Sequence, residues 1–312
     1  MEEENLTTVT EFIILGFPEF PDLQIPLFLL ILLIYLIVLM GNLTIIALTC
    51  LDPRLHTPMY FFLCNLSFLD ISSTSVTLPK LLDILLRNGQ RISAGGCFTQ
   101  VYFFMCLTVE EFFIIAVMGY DRYVAVCHPL HYNVIMNQRL CLLLAIGSWI
   151  LGLLEPVTHT VLLSHLSYCG SNEIDHFFCE LSALLKLSCS STYSTDLLTY
   201  IMSGLVMLPA FLFTLTSYVY IIAAILRIRS TEGRRKAFST CSSHLTVVIL
   251  FYGTLTFLYV RPASMQSMKQ NKLFALMYNV IIPLFNPIIY TLKNKQVKEA
   301  IRKQLPRITR ER

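Results

Sequence analysis

Long apolar runs fill most of the chain, and short stretches rich in polar and charged residues separate them. A helix that crosses a bilayer needs about 20 consecutive, mostly apolar residues. Seven runs satisfy that length: residues 25–50, 57–80, 97–120, 140–163, 197–226, 237–260 and 273–292. The pattern predicts an all-α membrane protein, a seven-transmembrane helix bundle. A short amphipathic eighth helix follows on the membrane surface, from about residue 294 to residue 304.

Composition supports the membrane assignment and excludes the soluble classes. Apolar residues make up 55% of the chain and charged residues only 14%, whereas soluble domains carry about 25% charged residues. A soluble fold of 312 residues has no means of burying so much apolar surface. Disorder requires the opposite composition. We therefore expect membrane lipids to surround the chain.

The distribution of charge predicts the orientation. Residues 1–24 contain six acidic residues and no Lys or Arg, whereas residues 227–236 and 293–312 together hold thirteen of the 23 basic residues. Because basic loops stay in the cytoplasm, we expect an extracellular N-terminus (1–24), a transmembrane domain (25–292) and a cytoplasmic eighth helix with a basic tail (293–312). The membrane is the plasma membrane. The tail directly follows an apolar segment, so it indicates anionic lipids and no nucleic acid.

This orientation predicts the chemistry of the outer side. Asn5 begins an Asn-Leu-Thr acceptor sequence for glycosylation. Four cysteines also fall on the outer, oxidising side, where disulfides form: Cys97, Cys169, Cys179 and Cys189. Four cysteines allow three pairings, and spacing does not choose among them. The chain contains no CxxC motif, and we expect no zinc site.

Two carboxylates lie inside predicted helices, where an unpaired charge is costly. Asp70 is central in the second helix and Glu111 in the third, while Asn42 and Asn286 occupy the first and seventh. If these side chains face the interior, the carboxylates share a proton, bind a sodium ion between them, or form a structural polar contact between helices. The sequence leaves these alternatives open.

Four motifs carry a resemblance to a known family. Leu55–Leu63 reads LHTPMYFFL, Met118–Cys127 reads MGYDRYVAVC, Lys236–His244 reads KAFSTCSSH, and Pro283–Asn294 reads PLFNPIIYTLKN. Together with the seven helices, they resemble the odorant (olfactory) receptors of class II, the tetrapod type, within the rhodopsin-like G-protein-coupled receptors. The Asp-Arg-Tyr tripeptide alone is weak, but the joint occurrence of all four motifs is specific.

The resemblance implies a mechanism and a set of switch residues. A bound odorant would shift the helices and activate a G protein of the Gs or Golf type, which raises cAMP. The residues that would couple binding to the G protein are Asp121, Arg122, Tyr123, Tyr218, His244, Asn286, Pro287 and Tyr290. Asp121 would hold Arg122 at rest, and His244 would hydrogen-bond across to the third helix. The resemblance also implies the disulfides Cys97–Cys179 and Cys169–Cys189.

Helical spacing gives the candidate ligand faces in the outer half of the bundle. They are Phe104, Met105, Thr108, Val109 and Phe112 on the third helix, Met202, Ser203, Val206 and Met207 on the fifth, and Tyr252, Leu255, Thr256 and Tyr259 on the sixth. Such faces, mostly apolar with a few hydroxyls, suit a small, mostly apolar odorant. The competing interpretation is that these side chains simply pack between helices.

Other functions explain the sequence less well. A receptor for a non-odorant metabolite is the alternative within the same class. Transporters often contain an internal repeat, and the two halves of this chain show none. The zinc-protease HExxH and nucleophile-elbow GxSxG motifs are absent, so we expect no enzyme. Apart from the sodium alternative, we expect no cofactor.

Overall fold

The structure, a computed structural model, describes residues 9–87, 90–169, 171–259, 268–293 and 295–308; the side chains of residues 240, 256–259, 268–269, 292–293, 295 and 304–308 are outside this description. Long helices make up most of it. The first five spans are Gln24–Leu51, Pro58–Arg87, Ala94–Cys127, Gln138–His165 and Tyr193–Arg227. The sixth span is Thr231–Tyr259. The seventh consists of Met268–Leu276, a π-helical turn at Met277–Ile281, and Ile282–Lys293.

Length and hydropathy agree with seven membrane crossings. Within the described residues, six helices are long and apolar enough to cross a bilayer. The sixth span is bent and is not one of these six. Its two parts, Thr231–Ser239 and Cys241–Leu255, meet at 49°, and counting them as one crossing brings the total to seven. The seven-helix prediction is therefore confirmed.

The helices run several residues beyond the apolar segments because polar caps determine where they begin. Ser93 accepts a hydrogen bond from the Gly96 backbone N–H at 3.1 Å and starts the third span at Ala94. Asn137 caps the fourth span in the same way through Leu140, at 3.0 Å. Such caps satisfy backbone N–H groups that lack a partner in the first helical turn.

The predicted eighth helix is present as Lys295–Ile308. Val297 and Ala300 are buried on its apolar face. The Tyr60 hydroxyl, at the start of the second span, donates to Gln296 Oε1 at 2.8 Å. This helix is therefore anchored against the bundle.

A small sheet, which the sequence did not predict, covers the end of the bundle that carries the disulfides; we call this the outer end. Strand β1 (Glu11–Ile14) lies between β2 (Gln90–Ser93), with which it pairs antiparallel, and β3 (Glu173–Ile174), with which it pairs parallel. Phe12 and Ile14 are fully buried. Part of the N-terminal segment that the sequence predicted to be extracellular is thus built into the outer end.

A buried lysine fixes this cover to the seventh span. Lys272, only 2% exposed, donates to the Gly16 carbonyl at 3.0 Å and to Asp175 Oδ1 at 2.5 Å, and its amino group lies 3.6 Å from Glu19. Gly16 has a φ of +67°, a conformation that favours glycine. The N-terminal segment, the loop carrying β3 and the seventh span therefore meet at one ammonium group.

The third span occupies the centre of the bundle. It packs against the second, fourth and fifth spans, and most of its length is buried. Side chains on several of its faces consequently meet other helices. This explains why both the candidate ligand face and the Asp-Arg-Tyr motif lie on one element.

Candidate functional site

Two disulfides hold the loop that covers the outer end. They join Cys97 to Cys179, with Cα atoms 5.5 Å apart, and Cys169 to Cys189, with Cα atoms 5.9 Å apart. The pairing implied by the resemblance is confirmed. The backbone N–H of Cys179 also donates to Gln100 Oε1 at 2.8 Å. The loop is thereby held against the third span at two adjacent points.

Aromatic rings fill the space between the candidate ligand faces. The centroids of the Phe104 ring and of the Phe178 ring in the covering loop are 4.8 Å apart. Deeper in the bundle, the Phe112 ring lies 4.8 Å from Phe251 and 5.6 Å from Tyr252 on the sixth span. A ligand that enters here must separate these rings. These ring contacts join the third span to the sixth.

The other predicted ligand residues divide into four groups. Thr108, Val109 and Leu255 are buried, and Met202 and Val206 are half-buried on the fifth span. Met105 packs instead against the outer cluster that contains Cys97 and Leu163, since it is rotated by about 100° from Phe104 on the helix. The side chains of Thr256 and Tyr259 lie outside the described residues.

The intramembrane carboxylates have separate partners. Asn286 Nδ2 donates to both Asp70 oxygens, at 3.0 and 3.1 Å. The Tyr278 hydroxyl donates to Glu111 Oε2 at 2.8 Å, and Glu111 Oε1 is buried without a hydrogen-bond partner among the described residues. Asn42, which the sequence grouped with these residues, donates to the Val38 carbonyl at 3.1 Å in its own helix.

Glu110, for which the sequence suggested no role, faces the fourth span. Its Oε1 accepts from the Ser148 hydroxyl at 2.9 Å. A Cβ added at Gly152 would lie 3.2 Å from Glu110. The lack of a side chain at Gly152 therefore makes room for the carboxyl group between the two helices.

At the inner end, Asp121 binds Arg122 and a loop tyrosine together. Arg122 Nε donates to Asp121 Oδ2 at 2.9 Å, and the Tyr132 hydroxyl donates to Asp121 Oδ1 at 2.7 Å. Asp121 is fully buried and Arg122 is 8% exposed. Tyr123, next in the motif, contacts His128 Nε2 through its hydroxyl at 3.1 Å. The expected Asp121–Arg122 ion pair is present.

The remaining switch residues connect the fifth, sixth and seventh spans. The Tyr218 hydroxyl and His244 Nδ1 are 2.7 Å apart. His244 therefore bonds to the fifth span through Nδ1. Its ring also faces the third span, as expected, where it meets the Ile115 backbone and would lie 3.8 Å from a Cβ added at Gly119. Tyr290 is buried, and Pro287 packs so closely on Gly41 that a Cβ there would lie 3.0 Å from the proline ring.

Comparison with known proteins decides the family. A family model described as "Olfactory receptor" matches residues 31–307. Mouse olfactory receptor 5AR1 is 49% identical over 303 residues, which cover 97% of this chain and 98% of the relative. Human olfactory receptor 6N1 is 47% identical over 308 residues, 99% of each chain. The chain belongs to the olfactory receptor family.

Family membership decides the broad function. The olfactory receptor crosses the plasma membrane several times, binds odorants and acts through a G protein. It is a receptor and not an enzyme, as the sequence predicted. The receptor class also replaces the transporter alternative.

The sequence analysis did not identify four residues of the receptor's site. Tyr278 contacts Glu111, Phe178 covers Phe104, Tyr132 binds Asp121, and Lys272 holds the outer cover. Phe178 and Tyr132 had a signal, because one adjoins a bridging cysteine and the other ends the Pro-Leu-His-Tyr run after the third span. Tyr278 and Lys272 had none, since each is a single polar group near an apolar segment.

Proposed function

We propose that a small, mostly apolar odorant binds in the outer half of the bundle and activates a Gs/Golf-type G protein, which raises cAMP. The observation that carries this proposal is the aromatic contact of Phe112 with Phe251 and Tyr252. It joins the candidate ligand face of the third span to the sixth span. A ligand shifts a two-state equilibrium only through contacts that differ between the states, and the proposal is that this contact changes when the ligand binds.

The inner half would convert that movement into G-protein binding. The sixth span is held to the fifth by the 2.7 Å contact between Tyr218 and His244. Arg122 is held at rest by Asp121. Outward movement of the sixth span would break the first contact and free Arg122 to face the G protein.

The test measures odorant-driven cAMP in cells that express Arg122→Ala, after a screen of an odorant panel on the wild-type receptor. We expect no cAMP response, together with surface expression that remains measurable by antibody labelling. Arg139→Ala is the matched control, because Arg139 is an exposed arginine at the start of the fourth span. A full response in Arg122→Ala would remove Arg122 from this role.

The proposal includes an extracellular N-terminus, a cytoplasmic C-terminus and a glycan on Asn5. Both disulfides at the outer end support this orientation, since disulfides persist in oxidising compartments. Asn5 itself lies outside the described residues. Treatment with a peptide-N-glycosidase should shift the wild-type band on a gel but leave Asn5→Gln unshifted. A wild-type protein that never shifts would contradict the glycan.

We further propose that a sodium ion binds between Asp70 and Glu111. The support is the partnerless Oε1 of Glu111 and the burial of both carboxyl groups. Oxygen donors of this kind suit a hard cation. Replacing sodium with choline in the medium should change odorant potency in the wild type and have no effect in Asp70→Asn. Equal potency of the wild-type receptor in both media would favour a shared proton instead.

A further inference from the structure

The hydroxyl protons of Thr108 and Tyr252, on the candidate ligand faces, are already committed within the protein. The Thr108 hydroxyl donates to the Phe104 carbonyl of its own helix at 2.8 Å. A threonine hydroxyl has one proton and two lone pairs. Thr108 therefore offers a ligand an acceptor and no donor.

Tyr278 is committed in the same way. Its hydroxyl lies 2.8 Å from Glu111 Oε2 and 3.3 Å from Thr108 Oγ1, and it donates its one proton to one or the other. If Glu111 is ionised, the tyrosine proton points to the carboxylate. If Glu111 carries a proton, that proton points to Tyr278, whose own proton then points to Thr108. If the Glu111 proton is instead on Oε1, which has no partner among the described residues, Tyr278 still donates to Oε2. In every case the Tyr278 proton stays within the protein.

Tyr252 repeats this arrangement on the sixth span. Its hydroxyl is 3.2 Å from Thr214 Oγ1, and either oxygen is able to donate. Thr214, however, donates its proton to the Ala210 carbonyl at 2.8 Å. Tyr252 must then donate to Thr214, and it presents only a lone pair to the ligand face.

We propose that this receptor selects neutral odorants that carry a hydrogen-bond donor, such as alcohols and phenols, over ketones, esters and ethers of the same skeleton. The inference rests on the proposed function, because it requires a ligand between the third and sixth spans. An acceptor-only ligand would place its oxygen against Thr108, Tyr252 and Tyr278, which have no proton to give. A buried polar group left without a partner loses the free energy of its hydration.

Ser203 is the exception on these faces within the described residues. It is half-buried on the fifth span, and no hydrogen bond of its hydroxyl is among the described contacts. His176 belongs to the covering loop and not to these faces; its Nε2 lies 3.3 Å from Glu180 Oε2, but neither ring nitrogen has a hydrogen-bond partner among the described residues. Ser203 would favour acceptor ligands, so it provides the internal control for the experiment.

The experiment uses the whole receptor in cells and a panel of matched triads. Each triad contains an alcohol, its methyl ether and the corresponding carbonyl compound, on linear, cyclic and aromatic skeletons of about six to twelve carbons. The readout is the concentration that gives half-maximal cAMP. A neutral hydrogen bond contributes about 1 kcal/mol, so we expect the alcohol to be about five- to tenfold more potent than its partners.

Three variants locate the preference. Thr108→Val and Tyr278→Phe each remove one acceptor and should reduce the alcohol's advantage to about twofold or less. Glu111→Gln supplies amide protons and should raise the relative potency of carbonyl compounds. Ser203→Ala should leave the ranking unchanged. Surface labelling of each variant separates a changed ranking from lost expression.

Two results would overturn the inference. One is a panel in which carbonyl compounds or ethers lead, or in which no alcohol or phenol activates the receptor. The other is a ranking that survives Thr108→Val and Tyr278→Phe but disappears in Ser203→Ala. Ligand-independent cAMP that still requires Arg122 would show, in either case, that the coupling mechanism stands while the donor preference does not.

Discussion

Gly16 offers the most direct test of how the N-terminal segment is held on the bundle. Its φ of +67° and its position against the second span leave no room for a side chain, because a Cβ would lie 2.6 Å from Ile84 Cγ2. A left-handed backbone costs a non-glycine residue about 1–2 kcal/mol. Overpacking of a buried neighbour costs about 1–3 kcal/mol, and Ile84 is only 2% exposed. Gly16→Ala should therefore destabilise the receptor by about 2–5 kcal/mol.

A thermal melt of the purified receptor measures this loss. Cys106, Cys141 and Cys241 are free and buried, so a thiol-reactive dye reports unfolding. At about 2 °C per kcal/mol for a chain of this size, the midpoint should fall by about 4–10 °C. Gly95→Ala is the matched control, because nothing lies within 4 Å of its added Cβ, and its midpoint should stay near that of the wild type.

A double mutant separates the two costs. Ile84→Ala alone leaves a cavity and should cost about 2–5 kcal/mol. Combined with Gly16→Ala it also removes the steric contact, so the double variant should be about 1–3 kcal/mol more stable than the sum of the single effects. Simple additivity would refute the steric part of the reasoning. A Gly16→Ala midpoint equal to that of the wild type would refute all of it.

Three further changes probe the outer end. Lys272→Met should lower the free energy of unfolding by about 1–2 kcal/mol and speed proteolysis of the N-terminal segment. The Gly16 carbonyl loses its donor in this variant, whereas the half-exposed Asp175 is hydrated by water. Unchanged proteolysis would argue against this anchor. Burial raises the pKa of Glu180 from 4.5 to about 7. The free energy of unfolding of the wild type should therefore fall by up to about 3 kcal/mol relative to Glu180→Gln as pH rises from about 4.5 to above 7. Melts at a series of pH values measure this difference, which should stay constant if the carboxyl is not buried. Replacing Cys169 and Cys189 by serine opens a loop with a sequence separation of 20 residues and should cost about 3 kcal/mol. Melts of the variant and the wild type without reductant measure this loss, and equal midpoints would contradict it.

Local apolar patterning was sufficient to predict the helices. Each span is a continuous apolar run, and the structure extends these runs only as far as caps such as Ser93 and Asn137. The outer sheet could not be predicted from the sequence, because it depends on short strands and on contacts between distant residues. Its strands are two to four residues long, and the pairing of Ile13 with Glu173 joins distant parts of the chain. A strand as short as the two residues of β3 has no detectable alternation of apolar and polar positions.

The same difference between local pattern and distant contact applies to the candidate site. Family motifs predicted the contact between Asp121 and Arg122, because both residues lie in one motif. They did not predict that Tyr278 bonds to Glu111. Tyr278 lies in the π-helical turn Met277–Ile281, which contains more residues per turn than an α-helix. Counting back from Asn286 at 3.6 residues per turn therefore gives the wrong direction for its side chain.

The sheet at the outer end also determines the order in which the receptor matures. In the proposed orientation, strand β1 enters the secretory lumen before its partner β3, which is synthesised about 160 residues later. At translation rates of about 5–20 residues per second, that interval lasts about 10–30 seconds. During this time Phe12 and Ile14, fully buried in the finished molecule, are exposed to luminal chaperones. The first strand of the sheet to be synthesised is thus paired completely only when the last one, β3, is made.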